Sequence, residues 1–340
     1  MRRNRLVSLG TVALAVFALA VSAYWYWASE ALAEGIARWR AEQIERGYEI
    51  DYDGPHMGGF PFALTVTFNQ PKAVSPQGLS WQGPPIRGAA KLWDPFTIDL
   101  EFPGTHQLRL AEGQEEQAAD VATQEARGQV VLALDGQVDS ASVDLGALRV
   151  NGPDLRPLTV DRLTARLGPL RQSQNGDPDE LNLAGEAVSV SLPDGEGGPL
   201  GDSLERLSFR STVVGGIPRG KPAESLPQWR DAGGLWRFES LSALWGPLDL
   251  QAKGRLGLDQ ALRPAGLFDT QLKGADEIIE RLVEDGRIKP EAAFAAQLAV
   301  AAMGRRDAAS GTTVLEAPIT LRDGLLFLGP VPLFPIAPVL

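Results

Sequence analysis

The chain has no cysteine in 340 residues, which excludes disulfides, thiolate catalysis and zinc sites built on sulfur. Stability must come from burial, and a body of this length can supply a sizeable core. Histidine is almost as scarce. His56 and His106 stand far apart in sequence without neighbouring ligands, so no metal site is expected. No glycine-rich loop leads into a helix in the way a P-loop or dinucleotide fingerprint requires, so no nucleotide or other cofactor is expected. A serine nucleophile elbow is missing as well. Basic residues number 32 against 43 acidic ones, a balance that repels nucleic acid and argues against broad electrostatic adhesion to lipid. Together these absences point away from an enzyme.

Charge is also missing from residues 6–28, and here the absence defines an element. About twenty apolar residues at helical rise cross the hydrocarbon core of a bilayer. Arg2, Arg3 and Arg5 precede the run, which predicts a cytoplasmic N-terminus with everything after the run on the far side. Tyr24, Trp25, Tyr26 and Trp27 close it, and their amphipathic rings suit the headgroup layer. A cleaved signal peptide is the competing reading, because Val21, Ser22 and Ala23 resemble a cleavage site. The aromatic cluster and the lack of a helix breaker near Ala23 favour a retained anchor. The expected organisation is a cytoplasmic tip and anchor over 1–28, a helical stalk over 29–47 that Gly47 caps, and a β-rich body over 48–340. Trp25, Trp27, Trp39 and Trp81 are explained by interfacial packing and core burial rather than by stacking on sugars.

In the body, apolar and polar residues alternate over short segments. Tyr48, Ile50 and Tyr52 lead to a turn at Asp53-Gly54, and Leu64, Val66 and Phe68 follow. Val130, Leu132 and Leu134 precede a hairpin turn at Asp135-Gly136. Residues 112–125 hold five acids and no base and read as a solvated loop. Strands at near-regular spacing without intervening helices argue for a large antiparallel sheet. Residues 215–234, rich in proline and glycine, are the strongest candidate for an internal break. The cleanest strand comes after them. It places Leu248, Leu250, Ala252, Leu256 and Leu258 on one face and Asp249, Gln251, Lys253 and Arg255 on the other. The period then changes to that of a helix over 275–285, capped by Gly286, and of a second starting at Pro290 with Phe294, Leu298 and Ala302 as its stripe. The fold class expected is mainly β: an N-terminal transmembrane helix, a large curved antiparallel sheet, and two helices near the C-terminal end.

The anchor, the Gly47-Tyr48 strand start, Gly59-Phe60-Pro61-Phe62, Trp81 and Pro95 resemble an alphaproteobacterial family known as domain of unknown function 2125. So do residues 250–259, Pro264-Ala265-Gly266, the helix ending at Gly286, and 321–330 with Asp323-Gly324. The pattern is more loosely similar to AsmA-like envelope proteins, which join an inner-membrane helix to a β-rich periplasmic body. These likenesses imply an inner-membrane protein with a periplasmic body and no catalytic residues to carry over. AsmA-like relatives are associated with phospholipid movement between membranes. Alternation on a curved sheet leaves one apolar face, either a sealed core or a groove for lipid acyl chains, for which Leu248, Leu250, Ala252, Leu256 and Leu258 are the candidate lining. A scaffold binding another envelope protein is the alternative, and a hydrolase using a carboxylate pair stands third.

Overall fold

The computed structural model describes residues 2–112, 115–153, 155–171, 179–215, 222–286, 288, 293–294, 297–298, 300–301, 304–306 and 313–339; of residues 2–14 it describes the backbone. The chain divides into two compact units, one of residues 1–138 with 150–155 and one of residues 139–149 with 156–340.

The first unit begins with α1 (Arg2–Glu45), a single helix that contains both the apolar run and the stalk. It stops where Gly47 takes a φ of 87°, left-handed territory that costs glycine nothing, and the Gly47 N–H donates back to the Ile44 carbonyl at 2.9 Å. Among the described residues no helix is long and apolar enough to cross a membrane. Arg2, Arg3 and Arg5 belong to α1, but their side chains lie outside the described residues. The stalk is not free-standing. Arg40 donates from Nε to the Ile50 carbonyl at 3.0 Å and lays its guanidinium 5.3 Å from the centre of the Tyr52 ring.

The strand that follows, β1 (Glu49–Gly58), runs straight through Asp53-Gly54, where the sequence suggests a turn, and absorbs the dipeptide in register shifts on either side of Asp53. Pro55 lacks the N–H that a regular ladder would use, so the strand bulges instead of ending. The reversal comes at residues 59–62 and opens β2 (Ala63–Val74). Along one edge β2 pairs with β1; its other edge is shared between β3 (Leu79–Gln82) and β4 (Ile86–Lys91). From β4 the ladder continues to β5 (Asp94–Glu101), and from β3 to β6 (Gly104–Glu112) and β7 (Glu115–Thr123). β8 (Glu125–Leu132) pairs with β5 and turns at Asp135-Gly136, as expected. The acid-rich stretch read as a loop is largely β7. Its backbone pairs residue by residue with β6, a ladder indifferent to charge so long as the acids face water.

β9 (Val138–Asn151) crosses the division between the units. In the second unit β10 (Leu158–Arg171), β11 (Glu180–Ser191), β12 (Ser203–Val214), β13 (Leu235–Trp245), β14 (Leu248–Leu258) and β15 (Pro264–Lys273) pair in sequence order. β15 then pairs with β17 (Thr313–Arg322). The other edge of β17 takes β16 (Gly304–Arg306) and β18 (Leu325–Leu328), and β19 (Val331–Pro335) closes the series. The described residues thus hold nineteen strands, a mainly β fold with a large antiparallel sheet.

Three helices bear on this part of the fold. α2 (Pro222–Asp231) falls inside the stretch 215–234, which belongs wholly to the second unit, with 216–221 outside the described residues. α3 (Ala275–Glu284) buries Ala275 and Ile279 against Leu315 and Ala317. The described residues between 293 and 301 are helical too, but the expected stripe is rotated. Ala293 and Val300 enter the core, whereas Phe294 and Leu298 are exposed; Pro290 and Ala302 lie outside the described residues.

Between β14 and β15, Asp259 organises the turn. One carboxylate oxygen accepts the N–H groups of Ala261 and Arg263 at 2.8 and 2.9 Å, and the other accepts Nε–H of Arg263 at 2.8 Å. The Arg263 backbone N–H, with the Arg263 side chain and Ala261 N–H assisting against partial burial, holds this carboxyl below the usual carboxylate range. A lowered pKa in the folded state gives stability that is present above the ordinary carboxylate pKa and is lost as pH falls through the folded value. The protection of the Ala261 and Arg263 amides against exchange, measured relative to their intrinsic rates, is therefore expected to fall on acidification below the ordinary carboxylate range. Asp259→Ala should show low protection at every pH; an unchanged acid response in that variant would refute the assignment.

Candidate functional site

The five residues singled out on β14 share one face of the second unit. Ala252 is buried, and Leu248, Leu250, Leu256 and Leu258 are half-buried. In register beside them stand Trp245, Ala243, Leu241 and Trp236 of β13, and Leu272 of β15 lies opposite Leu250. The alternation seen in one strand is thus repeated by its neighbours, which turns a stripe into a sheet-wide apolar face. Leu272 packs against the buried cluster beneath α3.

At the middle of this face the strand has no side chain. Gly254 stands opposite Phe238 on one side and Phe268 on the other, and the two rings meet with centroids 5.6 Å apart. A Cβ at Gly254 would come within 2.7 Å of the Phe268 ring, so glycine is what lets the aromatic pair close. Trp236 extends the cluster, its ring 4.8 Å from that of Phe238. The indole N–H of Trp236 is buried and has no acceptor among the described residues. A buried donor left unpaired costs about 1–3 kcal/mol, and this one stands out because the other polar groups on the face are paired: Thr270 donates to the Ala317 carbonyl, Ser211 to the Leu183 carbonyl and Trp245 to the Gly201 carbonyl.

The opposite face of the same strands carries a shallow cleft of about 770 Å³ whose lining includes Glu239, Gln251, Lys253, Asp269, Gln271 and Glu316. A bulge in β13 sets Glu239 and Ser240 together opposite Lys253. Glu239 accepts from the buried Thr212 hydroxyl at 2.8 Å, which fixes its position. Its charged side chains are exposed, and among the described residues no three His, Asp or Glu side chains gather as a metal-binding group.

The two histidines are accounted for differently. Trp81 donates to Nδ1 of His106 at 3.3 Å, which leaves Nε2 to donate to the Phe102 carbonyl at 3.1 Å, so both ring nitrogens are engaged in the neutral form. His56 lies 3.5 Å from a carboxylate oxygen of Asp53, a neighbour hidden in sequence by the bulge between them.

Of the aromatic cluster on α1, Trp25 alone is buried; Tyr24, Tyr26 and Trp27 are exposed. Trp25 donates from Nε1 to the Ala63 carbonyl at 2.7 Å and sets its ring edge-on to Phe60 at 5.6 Å, which docks the helix on the β1–β2 turn.

A family described as "uncharacterized protein conserved in bacteria (DUF2125)" matches residues 25–337, nearly the whole chain. No curated protein and no solved structure matches the chain, and the expected likeness to AsmA-like proteins is not shown.

Proposed function

The chain belongs to the bacterial DUF2125 family, which brings no reaction with it, and we propose from its own residues an anchored envelope protein that holds lipid acyl chains on the apolar face of its second unit. In this reading residues 6–28 sit in the inner membrane, the N-terminus is cytoplasmic and both units are periplasmic. The lack of charge across that run supports the anchor, as does the exposure of Val16, Phe17 and Leu19 within it.

The observation that carries the lipid reading is the unpaired Trp236 N–H beside Leu256. A phospholipid offers what that position lacks: a long apolar body, each buried methylene contributing about 0.8 kcal/mol, with an ester carbonyl able to accept one hydrogen bond. The scaffold alternative draws on Phe294 and Leu298, which are spaced to share one helix face and are both exposed.

Native mass spectrometry of residues 24–340, a span that keeps Trp25, separates the two. The lipid reading expects stoichiometric phospholipid, lost in the Leu250→Asp/Leu256→Asp variant while circular dichroism shows the fold retained. Trp236→Phe should weaken lipid binding about fivefold to tenfold, the loss of one hydrogen bond. An empty protein that takes up no added phospholipid would sink the lipid reading in favour of the scaffold.

A further inference from the structure

α1 and β1 run side by side in opposite directions, and their lengths match. From Trp25 to Glu45 the helix advances about 30 Å at 1.5 Å per residue. The ten residues of β1 return about 33 Å at 3.3 Å per residue. The turn after β1 is therefore brought level with Trp25, the contact made by the Ala63 carbonyl and Phe60.

Two further turns share that edge of the first unit. Ala63 pairs with Lys91 and the Leu92 N–H donates to the Phe62 carbonyl at 3.1 Å, which sets the β4–β5 turn beside the first. Thr97 pairs with Val131, which brings the β8–β9 turn alongside. Each turn presents a large apolar side chain to water: Phe62 is 68% exposed, Trp93 71% and Leu134 90%. Packing needs none of them there, and the same level of α1 carries the exposed rings of Tyr24, Tyr26 and Trp27.

We infer that these three turns seat in the headgroup layer of the bilayer that α1 enters, so that the first unit rests on the membrane surface; this builds on the anchor reading above. Aromatic rings with one wet edge suit that layer. Lys91, Asp94 and Asp135 flank the tips and limit the depth to the region where charges stay hydrated. The acidic balance of the chain favours zwitterionic lipid.

Because the chain has no cysteine, single cysteines can be labelled without background. The whole protein, reconstituted in phosphatidylcholine vesicles containing doxyl-labelled lipid, would carry an environment-sensitive fluorophore at F62C, W93C, L134C, F17C or Q77C. Gln77 lies in the β2–β3 turn, where Pro76 meets Gly47 at the far end of the α1–β1 pair. Blue-shifted, lipid-quenched emission at 62, 93 and 134, with neither change at 77, is the result expected. Tip labels that behave like the one at 77 while the label at 17 is quenched would overturn the seating alone. An unquenched label at 17 would overturn the anchor and the seating with it.

Discussion

Trp25→Ala is expected to destabilise the first unit by about 3–5 kcal/mol, the range for truncating a large buried ring. Trp25 is 8% exposed although its three aromatic neighbours face outward, because its indole fills the contact between α1 and the β1–β2 turn. Truncation removes that ring, its edge contact with Phe60 and the donor to the Ala63 carbonyl together. Trp25→Phe would keep most of the apolar contact and should cost only the hydrogen bond, about 1 kcal/mol. Urea denaturation of the detergent-solubilised protein measures both. Equal effects for the two variants would mean that the ring's packing contributes little and would undo this account of how α1 docks.

Leu315→Ala is expected to cost the second unit about 2–5 kcal/mol, toward the upper end. Leu315 is 1% exposed and is surrounded by Ala275, Ile279, Ala293, Val300 and Ala317. Three of those neighbours are alanines with no side chain to swing into the space, so the cavity would stay open. Leu315→Ile, which conserves volume, should cost less than about 1.5 kcal/mol. A loss below about 1 kcal/mol for the alanine variant would show that α3 and β17 collapse together more readily than their small residues suggest.

Where a pattern is local, the chain declares it. Leu248 to Leu258 alternate so regularly that the bounds of β14 coincide with the expected strand, and Ile279 with Gly286 announces α3. Two-residue turn signals were less reliable. Asp135-Gly136 turns the chain, but Asp53-Gly54 is carried inside β1, because whether a dipeptide turns or bulges depends on the partner strand. The acids of β7 read as a loop because charge is visible along the chain and cross-strand pairing is not. For the same reason the ring cluster over Gly254 was out of reach: Phe238 and Phe268 are thirty residues apart in sequence and meet only in register. The unpaired Trp236 N–H is a property of its surroundings and leaves no mark in the sequence.

The ladders from β10 to β15 join each strand to the next along the chain. Contacts of this kind close short loops at little entropic cost, so this part of the sheet can grow strand by strand. The β15–β17 ladder differs, since it must bring Lys273 to Val314 across α3 and all that follows it. That closure also completes the core around Leu315, so the most expensive loop in the second unit is compensated by its best-buried side chains. The last stretch of chain thus acts as a latch on a sheet whose earlier strands can assemble without it.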